Sequence, residues 1–157
     1  MKIRQYHHQD LNEIIELFQQ TVYCINKKDY SSMQIDAWIN TTSKEIRSSK
    51  WHKEFTKNFT YVAEKKGEIV GFIDMTTKGY LDRLYVHSQF QRMGIASQLL
   101  RKIEAIVCEY SLSEIRTDAS ITALPFFEEK GFIVITKQNV DIRGIQLTNY
   151  QMIKKFV

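Results

Sequence analysis

The chain has 157 residues, of which 43% are hydrophobic and 25% charged, as in an ordinary globular domain. A chain of this length buries roughly 70% of the surface that its unfolded form exposes, so we expect one domain over residues 1–157 without disulfides or a structural metal. The net charge is +4, but the basic residues are spread along the chain without an aromatic-rich basic stripe, so we predict no nucleic-acid partner.

The N-terminal part is predicted to be a strand over Lys2 to Tyr6 followed by a long helix from Gln9 to Ile25. Apolar residues in this helix recur at the 3.6-residue period of an amphipathic helix. We expect Asp10 to be its N-cap, with Glu13 completing a capping box. Two shorter helices are predicted next, one around Met33 to Ile39 beginning at Ser31 or Ser32, and one from Ser43 to about Phe55.

The patterning changes from helical to strand-like after Asn58. Two strands around a turn at Gly67 predict a hairpin over Thr60 to Met75. The remaining predicted elements are a strand over Tyr80 to Val86, a helix from Gly94 to about Glu109, a strand over Ile115 to Ala119, a helix from Ala123 to Lys130 capped by Gly131, a strand over Phe132 to Gln138, a turn near Asp141 to Gly144 and a strand over Tyr150 to Ile153.

The most informative stretch runs from Leu84 to Leu100, where a strand, a short loop and a helix follow one another. The first turn of the helix contains Gly94 and Ala96. Unpaired N–H groups and the positive end of the helix dipole suit a pyrophosphate, and small residues let oxygen atoms approach the backbone. The stretch matches neither the Walker A nor the Rossmann pattern, so it predicts another kind of nucleotide-binding loop.

Two motifs give this chain a family resemblance. Gln91-Arg92-Met93-Gly94-Ile95-Ala96 resembles the acetyl-CoA signature Q/R-x-x-G-x-G/A of the GNAT N-acetyltransferases, and it follows the fourth predicted strand as in that family. The segment from Ser120 to Phe132 resembles the family's N-x-x-A-x-x-F-Y-E-K-x-G-F. The likeness covers most of residues 58–132, whereas residues 1–57 match only in being helical.

The resemblance implies a GNAT fold of the α/β (α+β) class. Its sheet would be mixed and mostly antiparallel, with six to seven strands, about four flanking helices and a splay between the fourth and fifth strands. The implied cosubstrate is acetyl-CoA, with N–H groups of residues 92–97 on the pyrophosphate and that of Val86 on the thioester carbonyl. The implied cofactor-binding residues are Leu84, Tyr85, Val86, Gln91, Arg92, Met93, Gly94, Ile95, Ala96, Ser97, Ser120, Phe126 and Phe127.

One residue departs from the family pattern. Phe127 stands where many members have a Tyr that is proposed to protonate the leaving thiolate, and a phenyl ring has no proton to give. Ser120 takes the place of the family's Asn. Ser120, Thr122, Tyr85, Tyr150 and water therefore all remain candidates for the acid.

Acetylation needs a neutral amine, so a base has to take a proton from the ammonium group. Asp82 is the first candidate because a carboxylate is disfavoured in mid-strand, although it could instead be a structural partner of Arg83. His87 ends the same strand and titrates in a useful range, but a histidine there is often simply solvated. Asp74 is a similar, weaker candidate.

The acceptor pocket is predicted from the resemblance, which places the first helices and their loop around it. Tyr30 and Trp38, together with Asp82, are its candidate residues, and the alternative for the two aromatic residues is ordinary core packing. No docking extension for a protein is apparent, so we expect a small-molecule amine acceptor.

The leading prediction is therefore an N-acetyltransferase acting by direct transfer, and the alternative is a catalytically weak acyl-CoA sensor with the same fold. We predict no metal, because Cys24 and Cys108 form no C-x-x-C pair. No apolar window reaches the roughly 18 residues of a membrane span, so we predict no membrane partner and a cytoplasmic location. A homodimer is left open.

Overall fold

The computed structural model describes residues 1–156. They form one seven-stranded sheet in the order β1-β2-β3-β4-β5-β7-β6, in which only β4 and β5 run parallel. The strands are β1 (Lys2–Gln5), β2 (Phe59–Lys65), β3 (Glu68–Met75), β4 (Tyr80–Val86), β5 (Glu114–Ser120), β6 (Ile133–Ile142) and β7 (Ile145–Lys155). The helices are α1 (Leu11–Cys24), α2 (Ser32–Ile39), α3 (Lys44–Lys57), α4 (Ile95–Glu109) and α5 (Leu124–Glu129).

The predicted mixed, mostly antiparallel sheet is confirmed, with five flanking helices where about four were expected. Each face of the sheet carries its own core. Helices α4 and α5 pack on one face, where the apolar stripe of α4 from Ile95 to Val107 is buried against the sheet. Helices α1, α2 and α3 cover the other face, where Phe18, Trp51 and Phe55 form an aromatic cluster. The 3.6-residue period of α1 and α4 exists because each helix has one apolar stripe facing the sheet.

The sheet divides between β4 and β5. These strands pair at only two positions, Tyr80 with Arg116 and Leu81 with Thr117. Beyond these two pairs the strands diverge, and we call the opening between them the fork. It is the splay between the fourth and fifth strands that the family resemblance implied. Gly79 lies at the closed end of the fork with φ +95°, and an added Cβ would stand 2.7 Å from the carbonyl oxygen of Glu114. Only glycine fits this close approach.

Asp10 occupies the N-cap position of α1, as predicted, but the predicted capping box is not formed. Asp10 has helical dihedral angles and its side chain makes no cap hydrogen bond to α1. Its carboxylate instead accepts two hydrogen bonds of 2.9 Å from Arg4 and one of 2.8 Å from the backbone N–H of His7. The Glu13 carboxylate accepts from the N–H of Ile69 at 2.8 Å. Both carboxylates thus bind groups outside α1.

The C-terminal strands are longer than predicted. They extend to a two-residue turn at Arg143 and Gly144, where both φ angles are positive, as in a type I′ hairpin. The end of α5 follows the prediction: Gly131 has φ +95°, and the N–H of Phe132 donates to the carbonyl of Phe127 at 3.0 Å. Strand β6 is mostly exposed, and its last four residues, Asn139 to Ile142, alternate between polar and apolar.

Candidate active site

A cavity of about 510 Å³ runs through the fork. Its walls come from β4, β5, the end of α1, the start of α4, and α5. The lining also includes the loop before α4 and the segment after α1. Of the predicted site residues, the cavity is lined by Trp38, Asp82, Leu84, Tyr85, Val86, Gln91, Arg92, Gly94, Ile95, Ala96, Ser97, Ser120, Phe126 and Phe127.

Two backbone N–H groups of β4 point into the fork. The N–H of His87 donates to the carbonyl of Val70 on β3 at 2.9 Å. Because successive N–H groups in a strand point to opposite sides, those of Leu84 and Val86 point away from β3. No strand pairs with β4 at this level on that side, so these two donors are open to a ligand in the fork.

The loop before α4 forms a second set of donors. Gly94 is the N-cap of α4 with φ +81°, and Arg92 is also left-handed with φ 60°. The first hydrogen bond of the helix runs from the N–H of Gln98 to the carbonyl of Gly94 at 3.1 Å. The N–H groups of the three residues between them, 95–97, therefore have no partner within the helix. With the helix dipole they suit an anionic group, as the sequence predicts.

Three basic side chains outside β4 line the cavity. Arg92 lies in the loop before α4, which we call the anion-binding loop (residues 91–97). Lys130 lies at the end of α5 with its ammonium 5.7 Å from the centre of the Phe126 ring, and Lys28 lies in the segment after α1. Met93, by contrast, is 57% exposed and does not line the cavity. Its side chain therefore has no contact with the cavity, although its backbone belongs to the loop.

The end of β4 is fixed by side chains from two other elements. The carbonyl oxygen of Val86 accepts hydrogen bonds from the hydroxyl of Thr21 at 3.1 Å and from the amide of Gln91 at 2.6 Å. Gln91 thus joins the anion-binding loop to the strand rather than facing the solvent. Thr21 was not predicted, although a threonine inside the apolar stripe of α1 is the one signal that could have indicated it.

Asp82 lies in a β-bulge. Strand β3 advances by one residue from Asp74 to Met75 while β4 advances by two between their partners, Arg83 and Leu81. Asp82 is the extra residue, which explains how a carboxylate is accommodated in mid-strand. Its side chain lines the cavity, and bulges frequently orient side chains at active sites.

Both interpretations of Asp82 find support in the geometry. Its carboxylate accepts a hydrogen bond of 3.0 Å from Arg83, the structural partner considered from the sequence, and it also faces the cavity. Burial raises the pKa of Asp82, while the positive charge of Arg83 acts against this rise. A raised pKa brings a carboxylate closer to the range of a general base.

The other two candidate bases do not line the cavity. The ring nitrogen Nδ1 of His87 accepts from the N–H of Gln89 at 3.1 Å, and the ring packs on Phe90, which is itself a lining residue. Asp74 has no exposed surface, and its carboxylate is held by Arg83 and Asn58. Asp74 is therefore a structural partner of Arg83, and a catalytic role of His87 stays a prediction.

Phe127 belongs to the core. It is 3% exposed and packs edge-on between Phe126 and Phe132, at ring-centre distances of 5.4 and 5.0 Å. Phe127 also lines the cavity. Tyr150 packs against the core on the α4 face and does not line the cavity, so its role as the acid stays a prediction without a contact in the fork.

Three hydroxyl groups remain near the fork. Ser120 lines the cavity, and its hydroxyl accepts from the N–H of Ala123 at 3.0 Å. Thr122 lines it too and donates to Asp29 at 2.8 Å. Burial raises the pKa of Tyr85, so its phenol stays protonated near neutral pH. These three groups and water are the proton donors that the geometry leaves for a departing thiolate.

Tyr30 is a buried residue that does not line the cavity. It is 6% exposed, its hydroxyl donates to the carbonyl of Thr148 at 2.6 Å, and it accepts from the N–H of Ile121 at 2.9 Å. The predicted pocket role is therefore wrong, since both hydrogen-bonding capacities of the hydroxyl serve the fold. Its ring packs edge-on against Trp38, which does line the cavity, at 5.3 Å.

Asp118 is a lining residue that sequence reasoning missed. Its carboxylate accepts from the hydroxyl of Tyr80 at 2.7 Å and from the amide of Gln138 at 2.8 Å. Burial and the bond to Asp118 raise the pKa of Tyr80, so this donor stays protonated. Asp118 gave no sequence signal, because aspartate on the exposed face of a strand is unremarkable by itself.

Within residues 1–156, no three His, Cys, Asp or Glu side chains are grouped so as to hold a metal ion. No helix in the same range combines the length and apolarity needed to cross a membrane.

Comparison with known proteins now identifies the family. A model of the acetyltransferase (GNAT) domain matches residues 26–154. This chain belongs to the GNAT acetyltransferase family. The "uncharacterized N-acetyltransferase YafP" of Escherichia coli (strain K12) is 36% identical over 152 residues, which cover 97% of this chain and 94% of the relative. The predicted family is confirmed.

Solved structures agree with the fold. A GCN5-related N-acetyltransferase from Rhodopseudomonas palustris has a TM-score of 0.91 at 25% identity, covering 99% of this chain and 95% of that one. The PaiA N-acetyltransferase from Thermoplasma acidophilum, solved in complex with coenzyme A, has a TM-score of 0.79 at 22% identity, covering 99% and 98%. The GNAT fold predicted from the two motifs is therefore confirmed.

Proposed function

We propose that this GNAT protein transfers the acetyl group of acetyl-CoA to a primary amine of a small molecule by direct attack. The observation that carries the proposal is the fork, with the open N–H groups of Leu84 and Val86 beside the three unpaired N–H groups at the start of α4. Coenzyme A offers a pantetheine chain with amide groups for the former and a pyrophosphate for the latter. Arg92 and Lys130 supply positive charge for its phosphates.

The N–H of Val86 is the donor for the thioester carbonyl oxygen. When the amine nitrogen attacks the carbonyl carbon, negative charge grows on this oxygen, and one such oriented donor contributes about 2.7–4 kcal/mol to the transition state. The donor is well fixed, because the next carbonyl along the strand is held by Thr21 and Gln91. Collapse of the intermediate then breaks the carbon–sulfur bond.

Asp82 is the proposed base. It takes a proton from the ammonium form of the acceptor, directly or through water, and so frees the nitrogen lone pair. Ser120, Thr122, Tyr85 or water gives a proton to the thiolate. Direct attack fits the positions of Cys24 and Cys108, which are exposed thiols outside the cavity and so offer no covalent acyl carrier in it. We place the enzyme in the cytoplasm, in line with these free thiols.

The test is release of coenzyme A thiol with a panel of amines: an amino acid, a dipeptide with a free N-terminus, spermidine and an aminoglycoside. We expect release with at least one amine, intersecting double-reciprocal plots, and a fall of about 100- to 10,000-fold in kcat/KM for Asp82→Asn. Acetyl-CoA binding without release for any amine would instead support the sensor alternative, which Phe127 favours because the usual acid is missing.

A further inference from the structure

Arg83 is a single cation shared by three carboxylates. Its guanidinium makes two hydrogen bonds of 2.8 and 2.9 Å to Asp74, one of 3.0 Å to Asp82 and one of 3.1 Å to Glu54. The side chain is 8% exposed and lies on the rings of Trp51 and Phe55, at 4.9 and 4.8 Å. Burial alone would lower the pKa of Arg83, but Asp74 raises it, so the guanidinium stays charged.

The three carboxylates are not equivalent partners. Asp74 is completely buried, binds the guanidinium with both oxygens and also accepts from Asn58, so it fixes Arg83 to β3. Glu54 and Asp82 each make one hydrogen bond, and their side chains are 32% and 33% exposed. These two therefore compete for the remaining positive charge of Arg83.

Asp82 and Arg83 are neighbours in sequence whose side chains meet. In a regular strand, adjacent side chains point to opposite faces of the sheet. The bulge at Asp82 breaks this alternation, so that the carboxylate contacts the guanidinium of the next residue while lining the cavity. Glu54, on α3, approaches the same guanidinium and does not line the cavity.

From this geometry we propose that Arg83 and Glu54 are positioning residues for Asp82: Arg83 holds its carboxylate at the cavity wall, and Glu54 sets how strongly it is held. The proposal rests on the proposed function only in calling Asp82 the base. It assigns a role in the active site to a residue of α3 that contacts neither the cavity nor the anion-binding loop.

The electrostatic consequence has a definite sign. The charged groups facing Asp82 are Arg83 beside it, Asp74 on β3, and Glu54 and Lys50 on α3. Burial raises the pKa of Asp82, Arg83 and Lys50 lower it, and Asp74 and Glu54 raise it again. Removing the charge of Glu54 therefore strengthens the hold of Arg83 and shifts the titration of Asp82 to lower pH.

Glu54→Gln is the matching variant, because the amide oxygen can still accept from Arg83 while the negative charge is lost. Glu45→Gln, an exposed glutamate near the start of the same helix, is the control. The readout is the carbon-13 chemical shift of aspartate carboxyl groups against pH in protein without ligands, with Asp82→Asn used to assign the signal. Chemical denaturation of each variant verifies the fold.

We expect the Asp82 midpoint to fall by about 0.2–0.7 pH units in Glu54→Gln and to stay unchanged in Glu45→Gln. An unchanged midpoint in Glu54→Gln, or an equal shift in the control, overturns the proposal. The same variants are then assayed for kcat/KM against pH with the fastest amine of the panel. We expect the acid limb of the kcat/KM profile to shift by the same amount as the titration midpoint of Asp82. If the midpoint shifts and the acid limb does not, Arg83 and Glu54 still position Asp82, but Asp82 is not the base.

Discussion

Gly94 combines two properties that the anion-binding loop requires. Its φ of +81° is unfavourable for residues with a side chain, and an added Cβ would find no atom within 4 Å. A side chain there would thus project into open space at the start of α4, where the cofactor phosphates are proposed to lie. The motif requires a glycine at position 94, and the left-handed backbone there explains that requirement. The sequence motif alone therefore identified this loop.

Gly94→Asp and Ala96→Glu are predicted to weaken coenzyme A binding by tenfold or more, about 1.4 kcal/mol, through like charge and bulk at the pyrophosphate. Isothermal titration calorimetry with coenzyme A measures the effect. Gly144→Asp is a matched control, since Gly144 has φ +83°, an equally open Cβ position and a place in the β6–β7 turn away from the cavity. Undiminished affinity in both loop variants would contradict the cofactor assignment.

Single residues show where sequence reasoning succeeds and where it stops. Ser120 and Asp82 could be placed at the cavity because one lies in a motif and the other violates a strand preference. Thr21 and Glu54 could not, because each lies on a helix far from these segments in sequence, and Asp118 could not, because an aspartate on the exposed face of a strand gives no local signal. Asp74 shows the same limit, since Arg83 and Asn58 occupy its carboxylate.

Among the secondary structure elements, β4 and β5 depend on Gly79. The two strands pair at only two positions, and the carbonyl of Gly79 adds one hydrogen bond by accepting from the N–H of Arg116 at 2.9 Å. A methyl group at Gly79 would collide with the carbonyl oxygen of Glu114 at 2.7 Å. The closed end of the fork is therefore held by few contacts around a residue without a side chain.

Gly79→Ala is predicted to lower the free energy of unfolding by about 2–4 kcal/mol, from backbone strain and from displacement of β5. Gly67 is the control: it lies at the β2–β3 turn with φ +81° and open space around its Cβ position. Gly67→Ala introduces backbone strain without a steric clash, so it should lower the free energy of unfolding by only about 1 kcal/mol. Urea unfolding of both variants measures the difference. Equal losses would mean that the clash at Gly79 is relieved without cost.

The elements also differ in how well the sequence predicts them. Helix α4 was predicted almost to its ends, because its apolar stripe has no other explanation than burial against the sheet. Strands β6 and β7 were predicted too short, although Val140, Ile142, Ile145 and Leu147 alternate with polar residues on both sides of the turn; this alternation is the signal that was missed. The start of α1 was predicted correctly, but the partners of Asp10 were not, because Arg4 and the N–H of His7 bind its carboxylate.

For the molecule as a whole, the pair of Arg4 and Asp10 predicts how stability depends on pH. Burial alone would raise the pKa of Asp10, but hydrogen bonds from Arg4 and the N–H of His7 lower it below its ordinary value of 3.8. A lowered pKa means that the charged form stabilises the folded state above the ordinary value. This contribution is lost as the pH falls through the lowered pKa.

Asp10→Asn is therefore predicted to lose about 1–3 kcal/mol of unfolding free energy at pH 7, with the difference from the natural chain shrinking below about pH 4. Urea unfolding at pH 7 and pH 3 measures both values. Glu16→Gln, an exposed position on α1, should change little at either pH. A loss that is equal at both pH values would show that packing, and not charge, is responsible.

The overall architecture was accessible from sequence because two motifs fix four elements in order, and the remaining strands follow their own patterning. The cavity was not, since residues from 21–38 and from β5 line it together and meet only in the folded chain. A family resemblance carries the proposed cofactor site over because its donors are backbone groups, whose geometry follows from the fold. It does not carry over the acceptor, because the proposed acceptor contacts are side chains.

The bulge in β4 also bears on how the length of this chain can change. Asp82 has no partner of its own on β3, so its deletion would leave Leu81 opposite Met75 and Arg83 opposite Asp74. Inserting or deleting a residue between Arg83 and Val86 would instead shift the later residues of β4 by one position relative to β3. Their backbone N–H groups would then point to the opposite side, so the open N–H groups would face away from the fork. The strand can thus lose its acidic residue without turning its open N–H groups away from the fork.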